Sequence, residues 1–188
     1  METHRKLVHR WHEPGQAHEL TFSCVGRRPL LLLHDWPVLL ARGLDAAAQR
    51  HPCDLVAFVF MPEHVHLLVL PKHPDFVPGD FLYALKRPVS YRIKQHLIGT
   101  NDPLLAELTI RERPGKTTFR LWQEGGGYDR NLFKDASLEA AGDYIHRNPV
   151  RRGLCDHPDE WKWSSFRFYE HPDRPADPDL PRVRGFPP

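Results

Sequence analysis

The sequence predicts an α+β domain, with one antiparallel sheet and helices packed mainly on one of its faces. Runs in which apolar and polar residues alternate, or in which nearly every residue is apolar, predict the strands. Apolar residues at helical spacing predict helices between them, and the resulting order is β-α-β-β-α-(β)-α. A chain of 188 residues, 40% of them hydrophobic, suits one compact domain with a modest core.

The first half of the chain carries the clearest patterns. HELTFSCV at 18–25 alternates and predicts a strand, and Trp36 to Arg50 has apolar residues at helical spacing. Residues 54–61 are apolar on both faces, which predicts a central strand. After a two-residue break, HVHLLVL predicts a second strand that pairs with it like a hairpin. Successive side chains of that strand point to opposite faces, one face holding Val65, Leu67 and Val69 and the other His64, His66, Leu68 and Leu70.

The middle of the chain is less regular. Residues 80–97 predict a helix with a break near Pro88, apolar on one side and basic on the other. Residues 99–118 contain Gly, Pro and charge and indicate an insertion or a long loop. We expect a strand at 118–123, followed by a tight turn in GGGYDRN.

A helix is predicted from Ser137, a suitable N-cap, to Arg147, and Pro149 should stop it near Asn148. The whole order resembles a ferredoxin-like arrangement. We therefore expect a single domain over 1–169, which begins with an irregular arm, and a Pro-rich, extended C-terminal tail over 170–188.

Composition excludes several classes of protein. The formal net charge is only +2, so clusters of Lys and Arg carry more information than the total. The three cysteines are far apart and form no CxxC pair, which argues against a disulfide framework or a cysteine zinc site. The N-terminal stretch is polar, and the apolar runs are far shorter than the ~20 residues of a membrane span. We expect a soluble, cytoplasmic protein.

The pair His64 and His66 is the first candidate for chemistry. Residues i and i+2 of a strand share a face about 6–7 Å apart along it, so the two imidazoles can converge on one metal ion. The same pattern also fits ordinary strand histidines. The apolar surroundings favour ligands, because two imidazoles on a buried strand are costly unless their nitrogens are satisfied.

Tyr144 and Asn148 are the second candidate. They are one helical turn apart and therefore share a face of the predicted helix. Leu138, Ala141 and Ile145 face another way and can anchor that helix on the sheet. Taken alone, the pair also fits a packed aromatic residue and a C-capping asparagine.

Five segments, in this order, resemble one known family. They are PGQAHELTFSC at 14–24, MPEHVHLLV at 61–69, LWQ at 121–123, YIHRNPVRRGL at 144–154 and WKWSSFRFY at 161–169. The chain resembles the REP-associated tyrosine transposases, relatives of the single-tyrosine HUH transposases of small insertion sequences. The resemblance covers about residues 5–169, although 99–118 is longer than we expect of compact members.

The resemblance implies a role for each candidate. His64 and His66 would bind the metal, Tyr144 would be the nucleophile, and Asn148 would complete or support the metal site, where related transposases carry Gln. The implied cofactor is Mg²⁺ or Mn²⁺, whereas ligand type alone favours zinc or manganese. The implied reaction is strand transfer on single-stranded DNA with hairpin repeats, through a covalent 5′-phosphotyrosine, by a monomer or a homodimer.

Basic and aromatic residues are the candidates for DNA binding. Phosphate contacts would supply affinity without sequence information, and tryptophans could stack on unpaired bases. Trp161 and Trp163 are equally well explained as core residues. The predicted DNA-binding residues are Lys86, Arg87, Arg92, Lys94, Trp122, Arg147, Arg151 and Arg152.

Two other functions are compatible with parts of the sequence. A domesticated relative would bind DNA hairpins without cutting them, although His64, His66 and Tyr144 are all retained. A histidine-triad nucleotide hydrolase carries H-x-H-x-H on a strand, but here Leu68 stands at the third place and nothing in that class explains YIHRNPVRRG.

Overall fold

The computed structural model describes residues 16–125, 127–133 and 135–186. Within these ranges the chain forms six strands and five helices. The strands are β1 (Ala17–Ser23), β2 (Cys53–Phe60), β3 (His64–Pro71), β4 (Thr109–Arg113), β5 (Lys116–Phe119) and β6 (Tyr128–Leu132). The helices are α1 (Trp36–Arg50), α2 (Pro78–Gly99), α3 (Leu104–Glu107), α4 (Asp135–Arg151) and α5 (Phe166–Glu170).

Four strands form one antiparallel sheet in the order β2-β3-β1-β6. Helix α1 connects β1 to β2, and α2 lies between β3 and β6 in the chain, so two β-α-β units interleave. This is the predicted α+β, ferredoxin-like arrangement. The hairpin pairing of β2 with β3 is also confirmed.

The two faces of the sheet have different partners. One face packs against α1 and α2, and β3 contributes Val65, Leu67 and Val69 to it. On the other face α4 covers β2 and β3, where its Ala141 and Ile145 pack in one cluster with residues that include Leu68. The predicted alternation along β3 is confirmed, and it places His64 and His66 on the α4 face.

The predicted break at Pro88 and the predicted helix end near Asn148 are both wrong. Helix α2 continues through Pro88, and α4 continues through Pro149 to Arg151 instead of ending near Asn148. Each proline removes one backbone donor, at a cost of about 3 kcal/mol in a helix interior. Burial of the flanking side chains offsets that cost, as Leu85 and Val89 around Pro88 are both in the core. Helix α4 also begins earlier than predicted, at Asp135.

The predicted tight turn GGGYDRN contains an edge strand. Tyr128–Leu132 forms β6 and pairs with β1. Apolar and polar residues do not alternate there, because polar residues occupy both faces of β6. Gly127 leads into the strand with φ +72, and a Cβ at that position would overlap the Thr21 carbonyl oxygen.

The segment predicted as an insertion or long loop has structure of its own. It contains α3 and the β4–β5 hairpin, which forms a separate two-stranded sheet. Of the strand predicted at 118–123, only the first residues belong to β5, and Trp122 then makes a single bridge to Cys24.

The C-terminal segment packs back on the domain. The backbone N–H of Arg182 donates to Asp45 Oδ1 on α1, and that of Arg184 donates to the carbonyl of Leu55 on β2. The Phe186 ring lies over Gly142 of α4. The domain boundary at 169 stays a prediction, and most of the predicted N-terminal arm lies outside the described residues.

No helix in the described part of the chain is both long enough and apolar enough to cross a membrane.

Substituting Gly127 by Ala should destabilise the protein. The left-handed backbone and the overlap with Thr21 should together lower the free energy of unfolding by about 1–3 kcal/mol, measured by urea denaturation. Gly79→Ala is the matched control, because Gly79 lies in the first turn of α2 with no atom within 4 Å of an added Cβ. If the Gly127→Ala and Gly79→Ala variants were equally stable, this would contradict the claim that only glycine fits without strain where the chain enters β6.

Candidate active site

Two histidines of β3 lie side by side on the α4 face of the sheet. His64 and His66 are 4% and 6% exposed, and their Nε2 atoms are 3.0 Å apart. The neighbouring strand β1 places Ser23 opposite His64 and Thr21 opposite His66. The i, i+2 spacing predicted that the two imidazoles converge, and in the structure they do.

Each imidazole is held at its other nitrogen. His64 Nδ1 is 3.0 Å from Glu63 Oε1, and because a carboxylate only accepts, Nδ1 carries the proton and leaves a lone pair on Nε2. His66 Nδ1 is 2.7 Å from Thr21 Oγ1. The hydroxyl of Thr21 can donate or accept, so it suits either tautomer of His66.

Burial favours the neutral form of both rings. It lowers the pKa of His64, with Glu63 acting in the opposite direction. Burial, reinforced by the neighbouring His64, lowers the pKa of His66 to about 3. Neutral imidazole is the form that binds a metal ion, so neither ring needs to lose a proton at neutral pH.

Glu63 connects the histidines to two arginines. Its side chain is 9% exposed, and Oε1 lies 3.0 Å from Arg152 Nη1 and 3.7 Å from Arg27 Nη2. Burial, the largest influence on the pKa of Glu63, raises it, but His64 and Arg152 together lower it below its usual range. Neutral His64 still donates its Nδ1–H to Glu63, and Arg152 adds a permanent positive charge beside this carboxylate.

Helix α4 brings Tyr144 and Asn148 to the histidines. The Tyr144 ring meets His66 edge to face with centroids 5.5 Å apart, and the Arg151 guanidinium lies 5.1 Å from the centre of the tyrosine ring. The Asn148 side-chain amide nitrogen is 3.2 Å from His66 Nε2, and rotation of the amide would present its oxygen there instead. On another side of α4, His146 Nε2 lies 2.7 Å from Ser165 Oγ, which fixes the helix on the domain.

These residues enclose a cavity of about 360 Å³. Tyr144 is 38% exposed, so it can meet a ligand that enters from solvent. The cavity combines two neutral imidazoles, one phenol and one amide with a positively charged rim. It is lined by Thr21, Ser23, Arg27, His64, His66, Tyr144, Asn148, Arg151 and Arg152.

The donor set fits a divalent metal ion. Two ligands about 2.1 Å from an ion and at right angles to it lie about 3 Å apart, which is the separation of the Nε2 atoms. In the described ranges, no group of three or more His, Cys, Asp or Glu could hold a metal. The Asn148 side-chain amide, 3.2 Å from His66 Nε2, could turn its oxygen toward an ion held by the pair.

The predicted DNA-binding residues divide between the two faces of the sheet. Arg151 and Arg152 line the cavity, and Arg147 is exposed on α4. The α2 residues Lys86, Arg87, Arg92 and Lys94 belong to a helix on the opposite face, so the structure does not bring them to the tyrosine. Their role in DNA binding stays a prediction.

Trp122 has a packing role in this structure. It is 8% exposed, meets Phe22 edge to face, and donates its indole N–H to the Lys86 carbonyl oxygen. Stacking on a base would require this ring to leave the core. Trp161 similarly donates its N–H to the carbonyl of Phe60 and packs against the α4-side cluster.

Sequence reasoning missed several residues of the site. Thr21 and Glu63 hold the histidines, and Arg27 and Ser23 line the cavity. Glu63 adjoins the histidine motif and could have been considered as a carboxylate that orients a ligand. Arg27 gave no signal, because it reaches the cavity through a turn in which Gly26 and Arg27 both have positive φ.

The fold and the site together define a class of protein: a ferredoxin-like domain with a histidine–hydrophobic–histidine strand and a helix tyrosine beside it. No model of a known protein family matches the chain. A curated protein of Haemophilus influenzae Rd, described as a candidate REP-associated tyrosine transposase, is 26% identical over 124 residues. The match covers 63% of this chain and 61% of that protein, less than two thirds of its length.

One solved structure shares the fold of this chain. A REP-associated tyrosine transposase bound to a REP hairpin has 20% identity and a TM-score of 0.67, over 99% of this chain and 95% of that one. A structure described as a candidate transposase of Deinococcus radiodurans R1 has 22% identity and a TM-score of 0.45, over 77% of this chain and 95% of that one. The chain therefore resembles the REP-associated tyrosine transposases, as its motifs indicated.

Proposed function

We propose that this protein is a metal-dependent single-stranded DNA endonuclease and strand transferase that acts at hairpin repeats. The observation that carries the proposal is the meeting of the His64–His66 pair with Tyr144 and Asn148 in one arginine-rimmed cavity. The sequence match to a candidate REP-associated tyrosine transposase supports a transposase function, and the solved structure with the same fold is bound to a REP hairpin. A protein that acts on chromosomal DNA in this way would work in the cytoplasm.

The nucleophile in the proposed reaction is Tyr144. Its Oη forms a bond to phosphorus while the bond from phosphorus to the 3′ oxygen breaks. The phenol loses its proton and the departing oxygen gains one, which leaves a 5′-phosphotyrosine and a free 3′-OH. A 3′-OH from another strand then attacks the phosphotyrosine and releases Tyr144, so strands are exchanged without net hydrolysis.

The remaining residues bind and orient the substrate. Arg27, Arg151 and Arg152 would hold phosphates on either side of the scissile bond. His64, His66 and the Asn148 amide would hold Mg²⁺ or Mn²⁺, which when bound polarises a phosphate oxygen and offsets developing charge. Glu63 would orient His64 and also position Arg152.

The histidine-triad alternative has no support in this geometry. Leu68, at the place of the third histidine, is fully buried in the cluster beneath α4. Binding without cleavage remains the competing function, and the next experiment separates it from the proposal.

Substituting Tyr144 by Phe should abolish a covalent protein–DNA adduct while DNA affinity stays within about threefold of wild type, because only the nucleophilic oxygen is lost. Labelled single strands from hairpin repeats beside the gene would be incubated with protein and Mn²⁺ or Mg²⁺ and separated on a denaturing gel. Tyr91→Phe, an exposed tyrosine of α2, is the control and should behave as wild type. Tight binding without any metal-dependent adduct in the wild type would instead establish the binding-only function.

Mn²⁺ should bind the protein in the absence of DNA, through the histidine pair. His66→Gln should abolish this binding, and Glu63→Gln should weaken it by about tenfold or more, because the carboxylate that orients His64 is lost. The free Mn²⁺ signal in electron paramagnetic resonance measures the affinity. His96→Gln is the control, since His96 is exposed on α2. Equal Mn²⁺ affinity in the His66 and His96 variants would exclude the metal site.

A further inference from the structure

A second cavity adjoins the candidate active site. Helix α4 covers β2 and β3, and beside it β1 and β6 form a shelf, defined here by Glu19, Tyr128 and Arg130. The cavity over this β6 shelf has a volume of about 380 Å³ and shares Thr21, His66 and Tyr144 with the first cavity. The two cavities therefore meet at the proposed nucleophile.

Strand pairing sets the composition of the shelf. Tyr128 lies opposite Thr21, and Arg130 lies opposite Glu19, so all four side chains share the face of the histidines. Tyr128 is 54% exposed. Arg130 Nη2 is 2.7 Å from Glu19 Oε2, and the Arg130 side chain is half exposed while that of Glu19 is 7% exposed.

Glu19 is an unusual residue for its place. It lies in the middle of β1, where a buried carboxylate is costly unless it is paired. The half-exposed Arg130 supplies the pairing and still reaches solvent in the cavity. The shelf thus presents an open aromatic face beside one hydrogen-bond acceptor and one guanidinium donor.

This chemistry differs from that of the first cavity. Three arginines line that cavity, a set that suits phosphates. An exposed aromatic ring suits the face of an unpaired base, and a carboxylate beside a guanidinium can bind the N–H groups and the oxygen or nitrogen acceptors of its edge. Because the cavities meet at Tyr144, a strand whose phosphate reaches this residue can place a neighbouring base on the shelf.

We propose that the β6 shelf binds an unpaired base next to the scissile phosphate, with the base stacked on Tyr128 and its edge read by Glu19 and Arg130. The proposal rests on the proposed function for the identity of the strand. It adds a base-binding site to the proposed active site. Part of the preference of the protein for particular DNA sequences would then arise where the strand is cleaved.

The test compares single strands with and without bases. Fluorescence anisotropy would measure the affinity of a short mixed-sequence strand and of the same strand made abasic throughout. Tyr128→Ala should weaken binding of the base-containing strand on the order of tenfold and leave the abasic strand unchanged. Tyr91→Ala is the matched control, because this residue is 63% exposed but lies on α2, across the sheet.

A second variant tests the reading of the base edge. Strands that differ at one unpaired position should show a base preference in the wild type, and Glu19→Gln should change the order of that preference while total affinity for the abasic strand stays the same. Thermal unfolding of each variant identifies a folding defect, in which case Glu19→Asp, which keeps the charge, replaces Glu19→Gln in the comparison.

The outcomes separate this proposal from the proposed function. A Tyr144-dependent adduct with no effect of Tyr128→Ala on base-containing strands would overturn the shelf and leave the enzyme intact. A Tyr128-dependent preference for bases without any adduct would support the shelf and overturn the catalytic proposal. Wild-type protein that binds neither strand would overturn both.

Discussion

The antiparallel register of β1 against β3 is the constraint on which the rest of the site depends. It places Thr21 opposite His66 and Ser23 opposite His64, and the 2.7 Å contact of Thr21 with His66 requires that alignment. A shift of one residue would turn the side chains of one strand to the other face. The apolar residues of β3 then would face the cavity, so burial of Val65 and Leu67 also maintains the position of the histidines.

One side of helix α4 packs on the sheet, and another side carries residues of the candidate active site. Ala141 and Ile145 enter the core beneath it, while Tyr144, one position before Ile145, projects beside the sheet toward the histidines. Since residues one turn apart share a face, Asn148 follows Tyr144 into the same cavity. The contact of His146 with Ser165 and the Phe186 ring over Gly142 add further anchors. The tyrosine is therefore carried by a helix that the domain fixes from more than one direction.

The sequence predicted those parts of the fold in which one local pattern dominates. Strand β3 has one face that is apolar throughout and α1 has helical spacing, and both appear at their predicted places. The apolar side predicted for α2 is also the buried side. The break at Pro88 and the helix end before Pro149 were predicted wrongly because tertiary burial outweighs the local cost of proline, which a local pattern does not reveal.

The site was predictable to a similar extent. His64, His66, Tyr144 and Asn148 were proposed from spacing and resemblance, and the structure brings all four together. Arg27 and the β6 shelf were missed, because their positions depend on contacts between distant segments, whereas Glu63 was missed although it adjoins His64 in the sequence. Strand β6 has polar residues on both faces and follows glycines, so its local sequence indicated a turn, and only its pairing with β1 makes it a strand.

The measurement that tests the central claim most directly is the identification of the residue that carries DNA after the reaction. The covalent adduct would be digested with nuclease and protease, and the nucleotide-bearing peptide would be sequenced by mass spectrometry. The account predicts a nucleotide on Tyr144. A nucleotide on Tyr128, which lines the adjoining cavity and is the more exposed of the two tyrosines, would contradict it and assign the nucleophile to β6.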